Sequence, residues 1–311
     1  MKRLYCLFII ILCLAISIPS YAQFTINGKH IIYDKQNDTY MACIPEDAFG
    51  KDYEAIILLD IASDWSDLSI DGTQIAYSYT FKQVEGNKLY SIHARKGNKE
   101  INTKITFTFL PLLVLQGSFG YDYAQGSMSL YSPDATEPTI SLIKAKWRGG
   151  STNTADKHKR NYKIKSINFK GKSQDISLLG MREDNNWIMD AGQIDLFRLR
   201  NRIATEIWND FATKPYYASK EPKAKSGVTG KVVEVILNNE YRGIYSLTEA
   251  MDRKELKLKK YDDENQEFHG QLWKVSSWDK ATFWDIDKDY DNTQETWHAF
   301  ETKYPDIEDV N

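Results

Sequence analysis

Between Phe24 and Pro138 the chain repeats every second residue, where a helix would repeat every three to four. From Gln74 to Lys82, the side chains Ile75, Tyr77, Tyr79 and Phe81 fall on one side of an extended backbone, and a period of two is the strand period. Short β-rich runs lie on either side, at Lys29 to Tyr33, Tyr40 to Ile44, Tyr53 to Leu59, Leu89 to Ala94 and Ile101 to Phe109. Asp71-Gly72, Asn87 and Gly97-Asn98 supply the turns between them. Leu112 to Leu115 is continuously apolar, as a strand buried on both faces would be, with Pro111 tolerated only at its start. Regular short strands of this kind predict a β-sandwich over residues 23–135. The segment Tyr131-Ser-Pro-Asp-Ala-Thr-Glu-Pro138 reads as a linker.

After Pro138 the pattern changes. Ile140 to Trp147 and Tyr162 to Phe169 read as a strand pair around a basic loop. Asp195 to Phe211 carries Leu196, Leu199, Ile203 and Ile207 at helical spacing, with Asp195 placed to stabilise the helix start. Lys231 to Asn238 and Tyr241 to Thr248 read as a hairpin around Asn238-Asn239, and Met251 to Lys260 as a short charged helix. This mixture predicts an α+β domain over residues 139–311.

Charge is concentrated in that second half. The chain as a whole carries 40 Lys and Arg against 43 Asp and Glu, a net charge of −3, which argues against a nucleic-acid binder. Yet from Lys144 to Lys172, eight lysines with Arg148 and Arg160 face one acid, Asp156. An Arg148-Gly149-Gly-Ser151 turn opens this block, and alternating basic residues close it. A glycine turn lets N–H groups approach a ligand, and adjacent cations can hold a polyanion such as a nucleotide phosphate.

The N-terminus addresses the compartment. Lys2 and Arg3 precede an apolar run from Leu4 to Ile18, followed by small residues up to Ala22. That is the layout of a secretory signal peptide over residues 1–22, and it is shorter than the roughly 20 apolar residues of a membrane span. An exported protein is expected, periplasmic, cell-surface or secreted, with no stable membrane span after cleavage. Cys43 would then be its one cysteine, so stability must come from packing and not from an internal disulfide.

Four blocks of the second half resemble the CotH kinase family, the spore-coat-protein-H-like atypical kinases. They are Arg148-Gly149…Ser151 with Lys159, Tyr162, Ile164 and Lys165; Leu178-Leu179-Gly180-Met181 with Asn186-Trp187-Ile188; Asp195 to Trp208 around Arg200-Asn201; and Val233 to Asn238 with Tyr241-Arg-Gly243-Ile-Tyr245 and Thr248-Glu249. The resemblance covers about Ser141 to Pro305. Two turn positions differ mildly, Gly150 and Asn239. The family's later segment and C-terminal helices are not matched, so the resemblance implies a kinase-like domain truncated at its C-terminus.

The resemblance implies ATP and Mg²⁺ as cofactors and phosphoryl transfer by positioning and charge neutralisation. Arg148, Gly149, Ser151, Lys159 and Lys165 are the expected phosphate-binding residues. Glu249 and Asp252, three apart, are expected to share a metal with Asp279, and Lys274 to pair with Glu249 in the catalytic set. One pocket is expected to join the Arg148 cradle to the acids near Glu249. The bland alternative makes the lysines a solvated edge-strand face and leaves Glu249 paired to Arg253.

Asp285-Ile-Asp287-Lys-Asp289-Tyr-Asp291 has the spacing of a calcium loop but carries Tyr290 where glycine is needed and Thr296 in place of the last glutamate. His158, His269 and His298 lack metal-ligand spacing. The resemblance thus implies an exported serine protein kinase acting on an exported or surface protein. The competing expectation is a non-catalytic envelope or cell-surface scaffold that retains the kinase-like fold.

Overall fold

The computed structural model describes residues 24–59, 66–262, 264–275, 296–297 and 300–305. The expected signal peptide, Asp279 and the acidic run 285–291 lie outside these residues.

The first half consists of β1 (Phe24–Ile26), β2 (Lys29–His30), β3 (Ile32–Asp34), β4 (Thr39–Cys43), β5 (Tyr53–Leu59), β6 (Ser66–Ile70), β7 (Thr73–Gln74), β8 (Ser78–Phe81), β9 (Tyr90–Lys96) and β10 (Lys99–Thr108). They form a four-stranded sheet, β2-β1-β5-β8, and a six-stranded one, β3-β4-β10-β9-β6-β7. Ile26, Ile57 and Phe81 of the first meet Tyr40, Ile92 and Phe107 of the second in one core. The Phe81 ring stands edge-on to Tyr90 at 4.9 Å and to Phe107 at 4.8 Å. Each such pair adds about 0.5–1.5 kcal/mol to the burial of its rings. The alternation that predicted one strand over 74–82 is broken in the middle. β7 ends at Gln74, β8 begins at Ser78, and Tyr77 is 68% exposed between them.

The second half closes on itself. β11 (Leu112–Gln116), β12 (Ala124–Tyr131), β13 (Thr139–Arg148), β14 (Asn161–Ile167), β15 (Asn186–Asp190), β16 (Gly230–Leu237) and β17 (Glu240–Glu249) form a barrel in the order β11-β12-β13-β14-β15-β17-β16. Closure comes from parallel pairing of β11 with β16, Leu113 opposite Val235. Leu113, Leu115, Met128, Ile143, Ile164, Trp187, Met189 and Leu247 fill the interior. Leu112 points the other way, into a small cluster with Met41, Cys43 and Ile236 that joins the sheets of the first half to the barrel. Residues 132–138 connect β12 to β13, two paired neighbours of the barrel. A further sheet holds β18 (Leu272–Val275), β19 (Thr296–Trp297) and β20 (Phe300–Tyr304) in the order β18-β20-β19.

The α+β class expected for the second half is overturned, because the protein is nearly all β. Among the described residues the one α-helix is α1 (Arg200–Phe211). Residues 253–257 form turns: Asp252 and Glu255 are drawn to Arg182, and local side-chain bonds replace helical ones. Asp252 accepts the Glu255 N–H at 3.1 Å, the Arg253 guanidinium donates to the Leu258 carbonyl at 2.8 Å, and Lys257 sits at a φ of +53°.

α1 also begins later than its apolar spacing predicts. Asp195 accepts the N–H of Phe197 at 3.1 Å and of Arg200 at 2.8 Å, so it stabilises a turn before the helix, and Leu196 and Leu199 fall outside α1. The helix is inverted in its chemistry. Its one buried residue is Arg202, which bonds Glu206 at 3.1 Å and the Val228 carbonyl at 3.3 Å. Asn209 donates to the same carbonyl at 3.1 Å. Gly230 makes room for this docking, since a Cβ there would lie 2.2 Å from Arg202 Nη1.

Candidate functional site: a cationic barrel wall beside a buried carboxylate network

Strand alternation builds the wall. In the β13–β14 register Lys144 lies opposite Lys165, and Lys146 opposite Lys163. Ile143, Ala145 and Ile164 take the inward positions, so these four lysines share the outer face. Like charges directly opposite are unfavourable, and none of the four forms an ion pair with an acid among the described residues. The Tyr123 ring lies between two of them, 4.9 Å from Lys146 Nζ and 4.9 Å from Lys165 Nζ. Lys163 is half-buried. Burial pulls its pKa down, as do the charges of Lys165, Lys146 and Arg148, while Asp252 works the other way. Lys163 is thus where the cationic wall meets the acids that follow β17.

The glycine turn at the end of β13 is conformationally required. Gly149 has a φ of +103°, and a Cβ there would stand 2.2 Å from Thr152 Oγ1. The loop is pinned by the buried Asn161, which donates to Thr152 at 3.1 Å and accepts the Ala191 N–H at 2.6 Å. The Arg160 guanidinium donates to the Thr154 carbonyl at 2.6 Å and stacks 4.7 Å above Trp147. Ser151 and Arg148 are exposed beside it. Lys159 leaves the loop in another direction. Its ammonium donates to the Ile244 carbonyl and lies 4.2 Å over the Tyr245 ring. Burial, then the Arg198 charge, lower its pKa to about 8.

The acids form a network of their own. Glu249 is 1% exposed and accepts the N–H groups of Arg182 and Thr229, both at 2.9 Å, and the Lys225 ammonium at 3.1 Å. Burial pushes its carboxyl up, but these donors together hold it below the usual range. Arg182 Nη2 reaches Asp184 at 2.5 Å and Asp252 at 3.2 Å, and Nη1 binds Glu255. Lys254 closes the set on Asp184 at 2.9 Å. Lys254 also pairs with Asp175 at 3.4 Å, so five carboxylates meet three cations. Burial, then the Glu249 charge, raise the Glu255 pKa to about 7. A cleft of about 610 Å³ opens beside the network, with Arg182, Arg253, Lys254 and Lys257 on its walls.

The expected residues therefore divide. Arg148 and Lys165 share the outer wall, with Gly149 and Ser151 at its end. Lys159 is turned away onto Tyr245, donating an N–H to the Ile244 carbonyl. Lys274 pairs with Glu301 at 3.9 Å, and Lys225 takes the place by Glu249 that Lys274 and Arg253 were each expected to fill. The single pocket joining Arg148 to Glu249 does not form. Arg148 pairs with Asn161 at one end of β14. Glu249 is in register with Trp187, which is in register with Ile164. Asn161 and Ile164 are about 10 Å apart along the strand. Glu249 follows the inward series and Arg148 the outward one. Asp252 is held by Arg182 at 3.2 Å, and its charge acts weakly on Lys163.

Lys144, Lys146, Lys163 and Tyr123 were missed as site residues. The alternation in Tyr162-Lys-Ile-Lys165 carried the signal for Lys163, since it must share a face with Lys165. Nothing local marks Tyr123, which reaches the wall through the β12–β13 pairing. The donor set also bears on Mg²⁺. Glu249 does not suit a metal, because both its oxygens are occupied by internal donors. The wall does suit a polyphosphate, because its cations lack acidic partners among the described residues.

Residues 145–310 match the family model described as CotH kinase protein. That is more than half of the chain, and the protein belongs to the CotH kinase family, which supports a CotH-like kinase activity at family level. No curated protein matches the chain.

Proposed function

We propose that this protein is an exported CotH-like kinase that transfers the γ-phosphoryl group of ATP to serine on an exported or surface protein. The supporting observation is the half-buried Lys163, set among Lys146, Lys165 and Arg148 with no acid in ion pair among the described residues, and with the Asp252 charge acting on it. The phosphates would lie along this wall, where fixed cations offset charge at little reorganisation cost. Arg148 offers a planar fork and the lysines act as point charges. Tyr123 offers an aromatic face next to them, which suits a nucleotide base. ATP, when bound, supplies the phosphoryl group; the chain's residues hold and orient it. Glu249 is saturated by internal donors, so of the three carboxylates expected to hold Mg²⁺ it is the one that does not suit the ion.

That saturation favours a second reading, in which the wall binds a nucleotide without turnover. Radiolabelled γ-phosphate separates the two when the full chain is incubated with Mg-ATP and a serine-bearing acceptor protein. Incorporation that disappears in Lys163→Met supports transfer at the wall. Incorporation that survives in Lys163→Met would refute it, and binding without incorporation would establish the second reading.

A further inference from the structure

The inverted chemistry of α1 leaves an apolar stripe in water. Ile203 is 51% exposed, Ile207 54% and Phe211 65%, and their spacing of four residues puts them on one helix face. Trp208, 46% exposed, flanks the stripe and packs edge-on against Phe211 at 5.5 Å. Leu196 and Phe197, in the turn before the helix, are 87% and 74% exposed. Phe197 lies beside the first turn, with the Arg200 guanidinium 5.3 Å over its ring.

Side chains of this size each carry roughly 150–250 Å², so six that are about half to nine-tenths exposed offer roughly 700 Å². Monomers rarely leave more than a few hundred Å² of contiguous apolar surface in water. The figure approaches the roughly 800 Å² that each partner contributes to a standard interface. Folding does not explain the stripe, because α1 is already held on the barrel by its opposite face.

The charges at the ends of the stripe say what would cover it. Arg200 lies three residues before Ile203, and Asp210 three after Ile207, so both share its face. Arg200 is 64% exposed at the helix start, where its guanidinium also holds Asp195 at 2.9 Å, and Asp210 is exposed at the helix end with no ion pair among the described residues. The pattern from Arg200 to Phe211 runs cation, apolar, apolar, anion, apolar. Two copies related by a twofold axis would lay their α1 helices antiparallel, each Arg200 near the other's Asp210 and the isoleucines between them. An isologous contact must be self-complementary in this way.

We propose that α1 is a dimerisation element, its Ile203–Ile207–Phe211 stripe packing antiparallel against the same stripe of a second copy. The proposal stands apart from nucleotide binding, since the wall and the stripe share no residue.

Sedimentation velocity of the full chain between 1 and 50 μM tests it. The wild type is expected to sediment as a dimer. Ile207→Asp is expected to weaken dimerisation at least tenfold, with circular dichroism and Tm retained because the side chain is exposed. Asp210→Arg is expected to weaken it about fivefold by bringing like charges together, and adding Arg200→Asp should restore it. A monomeric wild type at 50 μM overturns the proposal. So does a dimer indifferent to Ile207→Asp, which would place the interface elsewhere. Loss with Ile207→Asp but no response to the charge swap would overturn the antiparallel arrangement.

Discussion

Lys225 and Glu249 form an ion pair at 3.1 Å in which the lysine side chain is 42% exposed and the carboxylate fully buried. The pair is asymmetric. Lys225 could return to water if freed, but Glu249 could not. Removing one partner of a buried pair costs about 3–5 kcal/mol, because a charge is stranded. Here two N–H groups remain on the carboxylate and the lysine is half in solvent, so about 2 kcal/mol is expected for Lys225→Met in denaturant unfolding. The double variant with Glu249→Gln should cost less than the two singles summed. Strict additivity would show that the pair is not coupled.

Glu255 should make stability depend on pH. Its folded pKa is raised from 4.5 to about 7. For an acid raised on folding, the contribution is fully present below pH 4.5 and lost as pH rises through 7. Wild-type stability should therefore carry a decline between those values, on the order of 2 kcal/mol. Glu255→Gln should remove that decline. An unchanged slope in the variant would reassign it to another group.

Lys159 gives the opposite slope. Its pKa falls from 10.5 to about 8, so between those values the unfolded chain binds more protons and stability rises with pH. Lys159→Met should raise Tm at pH 7, by the equivalent of about 1 kcal/mol after allowing for solvent screening of a half-buried charge, and should abolish the rise above pH 8. A variant less stable than wild type at pH 7 would mean that the contacts to Tyr245 and the Ile244 carbonyl outweigh the burial of the charge.

Gly149→Ala should weaken the loop that ends the wall. An added Cβ meets Thr152 Oγ1, and the φ of +103° is strained for alanine. A loss of about 1–3 kcal/mol is expected in thermal unfolding. Gly150→Ala, whose Cβ would have open space around it, serves as the control and should be close to neutral.

The alternating pattern made much of the β architecture legible, since Ile143, Ala145 and Ile164 could face inward only if Lys144, Lys146, Lys163 and Lys165 faced out. It could not reveal closure. The parallel pairing of β11 with β16 joins Leu113 to Val235 across a separation that no local signal spans. The same is true of Glu249, whose partners come from two distant segments, Arg182 from one and Lys225 with Thr229 from the other. Helical spacing located α1 but did not give its orientation. Periodicity identifies an apolar face without saying whether that face meets the core or water, and the core side was taken by Arg202 and Asn209. The charged run at 251–260 looked helical by composition, yet Glu255 and Asp252 serve Arg182 instead of a helix surface.

The central claim is that the outer wall of β13 and β14 holds the phosphates of ATP. Calorimetric titration of Mg-ATP into the wild type and into Lys163→Met tests it most directly. The account predicts saturable binding by the wild type, weakened at least tenfold by the substitution while Lys159→Met binds like wild type. Equal affinity in wild type and Lys163→Met would contradict it.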